Sequence, residues 1–587
     1  MKNFSLQKFG IGLCLILLSS GMQVRAQTPS WAWARTGGSS GMDYAGGLDY
    51  NSSTIATDAN GNSYMTGLFN GTASFGTVSV TSPSHPEVFV AKYDLNGICL
   101  WVRHFGGNDP DVYGNEGKSI AVDASGNCYV TGTFHGSVNN VVSVGSFSLS
   151  GTGKREIFTV KYDANGNEQW ANQPSNSGTM NNYAKSITVD GSGNSYITGY
   201  LGGGPNVFGT TAALSGPGAY IIMYNSSGVA QWSTKLGNGN ADALCVANDV
   251  NGNAYVSGYL QNTETFAASS PITLTSTGMR DVFLAKIGST GILAWVKQFG
   301  VGTSTAPSTP AAYGKGISVD GLGNIFLTGD YQKKLIVGST TLLGSGPSST
   351  DAFIAKFDLN GNPLWAYSTS NANGTGVNAR GTGVKANNAG DCFFTGYYYP
   401  SSGPQQNTPS FCGLIFPSSG NQITYVIKIN AGGSTAWGQF SSGVGSSSIP
   451  AGISIDQADN VYIAGNNQGT QVMGSTTITS NGGYDVLIAK IGNATLTTGI
   501  KNDHSDNQSV LIYPNPFNVY TTIDIKGYDA KKGMNFKVYN LLGEVVRSYS
   551  DISSSFRFEK GDISTGIYSY VLSENNTPVK SGKIVVQ

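Results

Sequence analysis

The stretch DANGNSYMTG, residues 58–67, decides the fold of this chain because close copies of it recur through most of the 587 residues. Each copy has a turn sequence, Asp-x-x-Gly-Asn, between stretches in which apolar and polar side chains alternate, and this pattern predicts a β-hairpin. Seven copies begin at Asp58, Asp123, Asp190, Asp249, Asp320, Asn387 and Asp456. Repetition at a period of about 66 residues predicts stacked or radially arranged repeats, numbered here one to seven.

The recurring aspartate suits either a turn or a calcium loop. A calcium site needs several oxygen ligands that converge on one ion. Each copy supplies a single recurring carboxylate, as in DASGN at residues 123–127. The ligand count favours the turn, and we predict no metal site.

A second hairpin of constant length follows each first one, as in EVFVAKYDLNGICLW, residues 87–101. A tryptophan stands nine residues after a lysine, or after Met223 in repeat three; these tryptophans are Trp101, Trp170, Trp232, Trp295, Trp365 and Trp437. Two hairpins predict four strands per repeat. Repeat seven has Gly499 nine residues after Lys490, so its last strand is missing.

The missing strand is found at the other end of the chain, in QTPSWAWARTGG, residues 27–38. Trp33 stands 25 residues before Asp58, and the other six tryptophans stand 17 to 25 residues before the turn residue that follows them. Pairing of this segment into repeat seven would close a ring and remove exposed strand edges. The predicted fold class is all-β, a seven-bladed β-propeller closed by its N-terminal strand.

These repeats resemble the SBBP family of seven-bladed propeller repeats, which carry the same VD..GN.Y.TG and D.F.AKYD..G...W strings. The resemblance covers roughly residues 28–495 and implies the propeller fold. It implies little about activity, since such repeats occur mainly in poorly characterised secreted proteins.

The N-terminus is typical of a secretory signal peptide at residues 1–26. Lys2 and Lys8 precede the apolar run FGIGLCLILLSSG, and small Ala26 stands before Gln27 at the predicted cleavage site. A membrane anchor is the alternative, but the run is shorter than the ~20 residues that span a bilayer. We therefore predict a propeller domain at 27–495 and no transmembrane segment in the mature chain.

A polar linker at 496–508 precedes short alternating strands at 509–587, which predict a small C-terminal β-sandwich. This segment resembles the type A sorting domain of the type IX secretion system of Bacteroidota. The resemblance rests on Tyr513-Pro514-Asn515-Pro516-Phe517, VYNLLGEVV, Gly566-Ile567-Tyr568 and the stretch from Lys580 to Val586, in the family's order. Ile563 departs from the family, which often has Leu there.

The resemblance to sorting domains implies an order of export steps. The signal peptide delivers the chain to the periplasm, and the C-terminal domain then directs passage through the outer membrane by the type IX secretion machinery. Removal of that domain normally follows, with release or attachment to surface lipopolysaccharide. The predicted location is therefore secreted or outer cell surface. The alternative is a sandwich with an adhesive or structural role of its own.

Composition excludes several classes of function. A net charge of −1 argues against nucleic acid or an anionic membrane surface as a partner, because both require a basic excess. Five cysteines remain in the mature chain without CxxC or Cys/His spacing, which leaves a Cys392–Cys412 bridge open but predicts no zinc site. The four histidines show no ligand spacing and no serine, histidine and aspartate arrangement. We predict no catalytic residue and no cofactor.

Candidate ligand-binding residues are found where the repeats differ. Three connections combine a tyrosine with a lysine that stands five residues before the turn aspartate: Tyr113 with Lys118, Tyr183 with Lys185, and Tyr313 with Lys315. Such connections gather at one face of a propeller, and a ring of these side chains would suit sugars or acidic groups. Equally, the lysines could extend from strand edges while the tyrosines pack.

Repeat six differs most, because it lacks the turn aspartate and carries GYYYPSSGPQQNTPSFCG after its first hairpin. We expect Tyr397, Tyr398 and Tyr399 to be exposed there. Clustered aromatic side chains suit carbohydrate or protein contacts, but drift of a decayed repeat produces the same pattern. Restriction of the change to one repeat favours drift.

Together these features predict a monomeric, secreted or surface-displayed propeller that binds a carbohydrate or protein ligand without catalysis. The alternative is an extracellular polysaccharide-acting enzyme, a glycoside hydrolase or lyase, whose acids lie in the variable loops.

Overall fold

The structure, a computed structural model, describes residues 28–46, 53–83, 85–106, 115–138, 141–176, 180–300, 310–346, 349–371, 378–400, 409–417, 422–443, 447–492, 509–526, 533–540, 544–574 and 577–587. The chain divides into two compact bodies, Met1–Asn493 and Ala494–Gln587. Every regular element in the described ranges is a β-strand, which confirms the all-β class. The predicted signal peptide with its cleavage site at Ala26 and Gln27, and the linker 496–508, lie outside these ranges.

The first body begins with strand β1 (Ser30–Gly37). Repeat one contains β2 (Tyr44–Ala45), β3 (Ile55–Thr57), β4 (Ser63–Phe69), β5 (Thr72–Phe75), β6 (Val78–Thr81), β7 (Glu87–Tyr93) and β8 (Cys99–Phe105). Repeat two contains β9 (Glu116–Val122), β10 (Cys128–His135), β11 (Val141–Val144), β12 (Phe147–Ser150), β13 (Arg155–Tyr162) and β14 (Glu168–Asn172). Short β15 (Ser175–Asn176) follows.

Repeat three contains β16 (Tyr183–Val189), β17 (Ser195–Leu201), β18 (Asn206–Val207), β19 (Gly218–Tyr224) and β20 (Ala230–Lys235). Repeat four contains β21 (Ala241–Asn248), β22 (Ala254–Leu260), β23 (Thr263–Phe266), β24 (Ile272–Thr275), β25 (Asp281–Ile287) and β26 (Leu293–Phe299). Repeat five contains β27 (Ala312–Val319), β28 (Ile325–Gln332), β29 (Lys334–Val337), β30 (Thr340–Leu343), β31 (Thr350–Phe357) and β32 (Pro363–Asn371).

Repeat six contains β33 (Asn378–Ala386), β34 (Cys392–Tyr399), β35 (Pro409–Phe411), β36 (Leu414–Ile415), β37 (Ile423–Ile429) and β38 (Thr435–Phe440). Repeat seven contains β39 (Ser447–Ile455), β40 (Val461–Gln468), β41 (Thr470–Met473), β42 (Thr476–Thr479) and β43 (Asp485–Gly492). The second body contains β44 (Ser509–Tyr513), β45 (Tyr520–Lys526), β46 (Met534–Tyr539), β47 (Val545–Tyr549), β48 (Ser555–Glu559), β49 (Gly566–Glu574) and β50 (Thr577–Val586).

Each repeat forms an antiparallel sheet from its two hairpins. The strand order is β9-β10-β13-β14 in repeat two, β16-β17-β19-β20 in repeat three and β21-β22-β25-β26 in repeat four. The sheets of repeats five and six are linked by a bridge between Thr350 and Asn378 and by the antiparallel pairing of β32 with β35. The four strands predicted per repeat are therefore present in these sheets.

A third, smaller hairpin joins the second and third strands of several repeats, and the two-hairpin pattern does not predict it. The pairs are β5 with β6, β11 with β12, β23 with β24, β29 with β30, and β41 with β42. Four of their turns have a glycine with positive φ, which a tight hairpin turn requires: Gly76, Gly145, Gly338 and Gly474.

The recurring aspartate closes its own turn. In repeat one, Asp58 Oδ1 accepts the backbone N–H groups of Asn60 and Asn62, both at 2.9 Å. Its Oδ2 accepts the side-chain amide of Asn62 at 2.8 Å and the hydroxyl of Tyr64 at 3.2 Å. The same set of bonds recurs at Asp123, Asp190, Asp249 and Asp456. Both carboxylate oxygens are engaged, which confirms the turn interpretation.

Strand β1 lies at the edge of the repeat-seven sheet, whose order is β1-β43-β40-β39. It pairs antiparallel with β43, and Trp33 lies opposite Lys490. In repeat one, Trp101 lies opposite Lys92 in the same way. Residues Ser30–Gly37 thus stand where the other repeats have their fourth strand.

The fourth-strand tryptophan of a sheet packs on the turn of the second hairpin in the next repeat. A Cβ added to the glycine of that turn would lie 3.0 Å or less from the tryptophan ring; the pairs are Trp101 with Gly166, Trp170 with Gly228, Trp232 with Gly291, and Trp295 with Gly361. Trp33 makes this contact with Gly97 of repeat one, at 2.8 Å. Its indole N–H donates to Leu95 O at 3.1 Å, as Trp101 donates to Ala164 O at 3.3 Å. Repeat seven therefore contacts repeat one as other neighbours contact each other.

The second body has two antiparallel sheets, β44-β45-β48 and β47-β46-β49-β50. Both sheets contribute to one apolar cluster, with Ile523 and Phe558 from the first and Phe536 and Leu572 from the second. This two-layer packing agrees with the small sandwich predicted from the alternating strands.

We expect Gly97→Ala to destabilise the first body more than Gly71→Ala does. The two glycines have φ values of 77° and 78°, so alanine meets the same backbone strain at either position. A Cβ on Gly97 also meets Trp33, whereas a Cβ on Gly71 meets no atom within 4 Å. Overpacking of this kind lowers the free energy of unfolding by about 1–3 kcal/mol, which urea unfolding measures. Equal losses in the two variants would contradict the packing role of Gly97.

Candidate functional site

The first hairpin of several repeats has two strand positions, at the end away from its turn, where polar and aromatic side chains differ between repeats. One position stands seven residues before the turn residue, and the other follows the glycine that ends the repeat pattern. They face each other across the first hairpin; the pairs are Tyr183 with Tyr200, Asp242 with Tyr259, Tyr313 with Asp330, and Arg380 with Tyr397. Because side chains alternate along a strand, the lysine two residues further along points to the same side.

A cleft of about 420 Å³ lies over repeats two to four at this end. Its lining side chains come from neighbouring repeats and include Glu116, Arg155, Tyr183, Lys185, Tyr200, Asp242, Tyr259 and Gln261. The structure therefore brings together the predicted pair Tyr183 and Lys185. We refer to this site as the tyrosine cleft.

The tyrosine cleft presents hydroxyl donors, ring faces and a cation. Burial and the Asp242 carboxylate raise the pKa of Tyr259 to about 12, and the same two causes raise the pKa of Tyr200. Both hydroxyls therefore stay protonated at neutral pH and can donate. Lys185 Nζ lies 5.4 Å from the centre of the Tyr183 ring, a cation–π distance.

Lys118 does not line the tyrosine cleft, and its amine forms an ion pair behind the lining. It is 2% exposed and pairs with Glu116, which is 3% exposed. Its predicted companion Tyr113 lies outside the described residues. Lys118 therefore fits the alternative to ligand binding, in which the lysines pack along a strand.

Tyr313 and Lys315 lie beside the tyrosine cleft. The Arg280 guanidinium stands 4.3 Å from the centre of the Tyr259 ring and donates to the Tyr313 hydroxyl at 2.7 Å. Arg280 therefore connects the cleft to repeat five. Lys315 is buried and pairs with Asp330 at 2.8 Å, so it too serves an ion pair.

The three tyrosines of repeat six point to different faces of β34, because side chains alternate along a strand. Tyr399 is 49% exposed, Tyr397 is 8% exposed and Tyr398 is wholly buried against Phe416. The expectation that all three are exposed is therefore wrong for Tyr397 and Tyr398. Tyr398 points to the opposite side of β34 from its neighbours because successive side chains alternate between faces.

Several residues of the tyrosine cleft are missing from the sequence prediction. Tyr200 and Tyr259 stand directly after the repeat glycine, in YITGY and YVSGY. The same place holds Asp330 in repeat five and Thr133 in repeat two. A comparison of that single column between repeats would reveal the position, since its side chain changes while the pattern before it persists.

Metal and disulfide chemistry finds no support in the described part of the chain. All five mature cysteines are free, so the Cys392–Cys412 bridge that the sequence leaves open is not formed. No group of three or more His, Cys, Asp and Glu side chains in the described ranges could hold a metal ion. Across the same residues, no helix has the length and apolar character needed to cross a membrane.

The Tyr-Pro-Asn-Pro motif of the second body is bonded to the last strand. Asn515 Oδ1 accepts the Val585 N–H at 2.8 Å, and its amide donates to Lys583 O at 3.1 Å. The Pro514 carbonyl accepts the Thr521 hydroxyl at 2.7 Å, and the Tyr513 hydroxyl donates to Asp524. The Tyr-Pro-Asn-Pro motif, whose last residue is Pro516, therefore connects the first part of the second body to its last strand.

The Gly-Ile-Tyr part of the motif begins β49, the strand that pairs with β50. Gly566 lies opposite Val586 in that pair. Tyr568 is buried and donates its hydroxyl to Ser564 O at 2.8 Å. Both halves of the motif therefore meet around the last strand.

Comparison with known families agrees with both resemblances. Residues 511–587 match the family described as "Secretion system C-terminal sorting domain", and residues 294–330 match the SBBP family described as "Beta-propeller repeat". The chain therefore contains an SBBP β-propeller repeat and a C-terminal type IX secretion sorting domain. The sorting domain makes it a secreted or cell-surface protein that engages the type IX secretion machinery.

One curated relative is a mimivirus protein, "Uncharacterized WD repeat-containing protein L264" of Acanthamoeba polyphaga mimivirus. It is 26% identical to this protein over an alignment of 362 residues that covers 51% of this chain. The chain spans about a quarter of the length of that relative, 25%. Its printed name describes no ligand.

Similar solved structures include PorZ, a surface component of the type IX secretion system of Porphyromonas gingivalis, at 10% identity and a TM-score of 0.17 over 90% of this chain and 85% of that one. A protein from Lactobacillus plantarum has 10% identity and a TM-score of 0.33 over 72% of this chain and 98% of that one. At such scores neither protein is a guide to the activity of this one.

Removal of residues 509–587 is expected to trap the protein in the periplasm. The predicted signal peptide would still direct passage across the inner membrane, but the domain that the secretion machinery recognises is lost. Fractionation of cells with an antibody against the propeller measures the location. The matched control carries Val519→Ala, a change at a side chain that is 62% exposed, and should be exported normally. Delivery of the truncated chain to the surface would contradict the sorting role.

Proposed function

We propose that the first body is a closed propeller of seven blades, one for each sequence repeat, with β1 completing the last blade. Support comes from Trp33, which contacts Gly97 of repeat one as other tryptophans contact their neighbours. A Cβ on Gly452 of repeat seven would lie 2.7 Å from Thr54 N of repeat one, so these first strands also lie against each other. The domain limits 27–495 and 509–587 and the linker 496–508 are part of this proposal.

The exported propeller acts, in this proposal, as a monomeric binding module for an extracellular ligand. The observation that carries it is the tyrosine cleft, where Tyr183, Tyr200 and Tyr259 stand among charged and amide side chains. A volume of about 420 Å³ lies within the range of small-ligand sites. The cleft is open to the outside of a protein that is itself displayed or released.

A carbohydrate suits the tyrosine cleft better than an apolar ligand does. Sugar rings offer C–H faces to aromatic side chains and hydroxyls to hydrogen-bonding groups. The cleft supplies protonated tyrosine hydroxyls, the Gln261 amide, and the carboxylates of Glu116 and Asp242. A protein ligand that presents polar side chains is the second occupant consistent with these groups.

An enzyme acting on polysaccharide is the competing proposal, because Glu116 and Asp242 line the same cleft. Glycoside hydrolysis needs one carboxyl group that donates a proton and one that acts as base or nucleophile. The Glu116 carboxylate is already engaged by Lys118 in an ion pair, and both side chains are almost wholly buried in the wall of the cleft. The binding function therefore has better support than catalysis.

The binding proposal is tested with the mature chain on a glycan array. We expect selective binding to one glycan class, and a loss of affinity of about tenfold or more in Tyr183→Ala and in Tyr259→Ala, since each removes a contact face and a donor. Tyr399→Ala is the matched control, because this side chain is 49% exposed and outside the cleft.

Calorimetry with the best glycan from the array measures these affinities, and thermal unfolding verifies that each variant is folded. Absence of binding to every glycan would contradict the carbohydrate proposal. Loss of binding in Tyr399→Ala with full binding in both cleft variants would contradict the site. Release of reducing ends from the bound glycan would favour the enzyme.

A further inference from the structure

A second cavity, of about 350 Å³, lies at the opposite end of the first strands from the tyrosine cleft. The first strands of all seven repeats contribute to its lining, mainly with residues from the half next to the turn, such as Ile120 to Val122 and Ile187 to Val189. The tyrosine cleft uses the other end of these strands, at Tyr183 and Asp242. The two sites are therefore separate.

One position in this cavity is occupied differently in repeat six. The residue two places before the turn residue lines the cavity in every repeat and is small in six of them: Ala56, Ala121, Thr188, Ala247, Ser318 and Ser454. In repeat six it is Lys385. A single long cationic side chain therefore enters a cavity whose equivalent wall positions are small and neutral.

The Lys385 amine has no hydrogen-bond or ion-pair partner among the residues that the structure describes. Burial alone lowers the pKa of the amine, and no neighbouring carboxylate raises it. The other recurring lysines behave differently: Lys92 donates to Ala164 O at 2.9 Å, and Lys315 pairs with Asp330 at 2.8 Å. Lys385 thus lacks the compensation that partly buried cations in this protein usually have.

Serine side chains line the same cavity as Lys385. Ser318 Oγ accepts the backbone N–H of Ala386, the residue after Lys385, and its own hydroxyl hydrogen remains available in the described hydrogen bonds. Ser454 lines the same cavity. An anion next to Lys385 would therefore find a charge partner and a neutral donor.

We propose that this cavity binds a small oxyanion, a carboxylate or a phosphate group, with the Lys385 ammonium as its charge partner. The anion compensates the partly buried cation, and a charge-assisted hydrogen bond is stronger than a neutral one. The volume admits a small ligand or the charged end of a larger one. This site is independent of the glycan proposed for the tyrosine cleft.

The test uses the mature chain with two probes that are not sugars, acetate and inorganic phosphate, at constant ionic strength. Calorimetry measures binding to the wild type, to Lys385→Ser and to Lys385→Arg. Serine is the residue at the same position in repeats five and seven, so this replacement fits the cavity. We expect at least one probe to bind, with a loss of affinity of about ten- to hundredfold in Lys385→Ser and a smaller loss in Lys385→Arg.

Lys334→Ser is the control, because this lysine lies on the small hairpin of repeat five and lines neither cavity, and it should leave affinity for the probe unchanged. Nuclear magnetic resonance of ¹³C-labelled lysine gives a readout in the wild type itself: the pKa of the Lys385 amine should rise when the probe binds, since an adjacent anion favours the charged form. Binding of acetate alone would indicate a carboxylate ligand, and binding of phosphate alone a phosphate ligand. No binding by the wild type, or equal affinity in Lys385→Ser, would overturn the proposal.

Discussion

The packing of a tryptophan on a turn glycine is the interaction on which the first body depends. The tryptophan ends one sheet and the glycine belongs to the next, so the contact sets how closely neighbouring sheets approach. A side chain at the glycine would collide with the ring, as the 2.8 Å separation at Gly97 illustrates. A lysine on the adjacent strand reinforces the contact, because Lys92 Nζ lies 4.9 Å from the centre of the Tyr64 ring and donates across to repeat two. Contacts with its neighbours therefore contribute to the stability of each repeat.

The aspartate turn recurs at one end of the first hairpin in most repeats, whereas the residues at the opposite end vary between repeats. The turn end is constrained by the aspartate and its bonds to backbone N–H groups, which recur from repeat to repeat. At the other end of the first hairpins, tyrosine, aspartate and arginine replace one another between repeats. The tyrosine cleft is built at the variable end. Lys385 is an exception, because it lies near the turn end and yet differs from its small counterparts in the other repeats.

Much of the fold was predictable because it depends on spacing. The constant interval from lysine to tryptophan, and its interruption at Lys490, predict the pairing of Trp33 opposite that lysine. The site was less predictable because it depends on which face of a strand a side chain occupies. Tyr398 is buried although Tyr399 is exposed, and Lys118 and Lys185 occupy the same repeat position but only Lys185 lines the cleft. Tyr200 and Lys385 appear only when single positions, and not whole motifs, are compared between repeats.

The proposed ring is tested most directly by thermal unfolding of a mature chain that lacks residues 28–38. Without β1, strand β43 keeps an unpaired edge and Gly97 loses the ring that packs on it. The account predicts that this chain melts well below the intact one, and that a synthetic peptide of residues 28–38 restores the melting temperature while a scrambled peptide does not. An unchanged melting temperature after the deletion would contradict the ring.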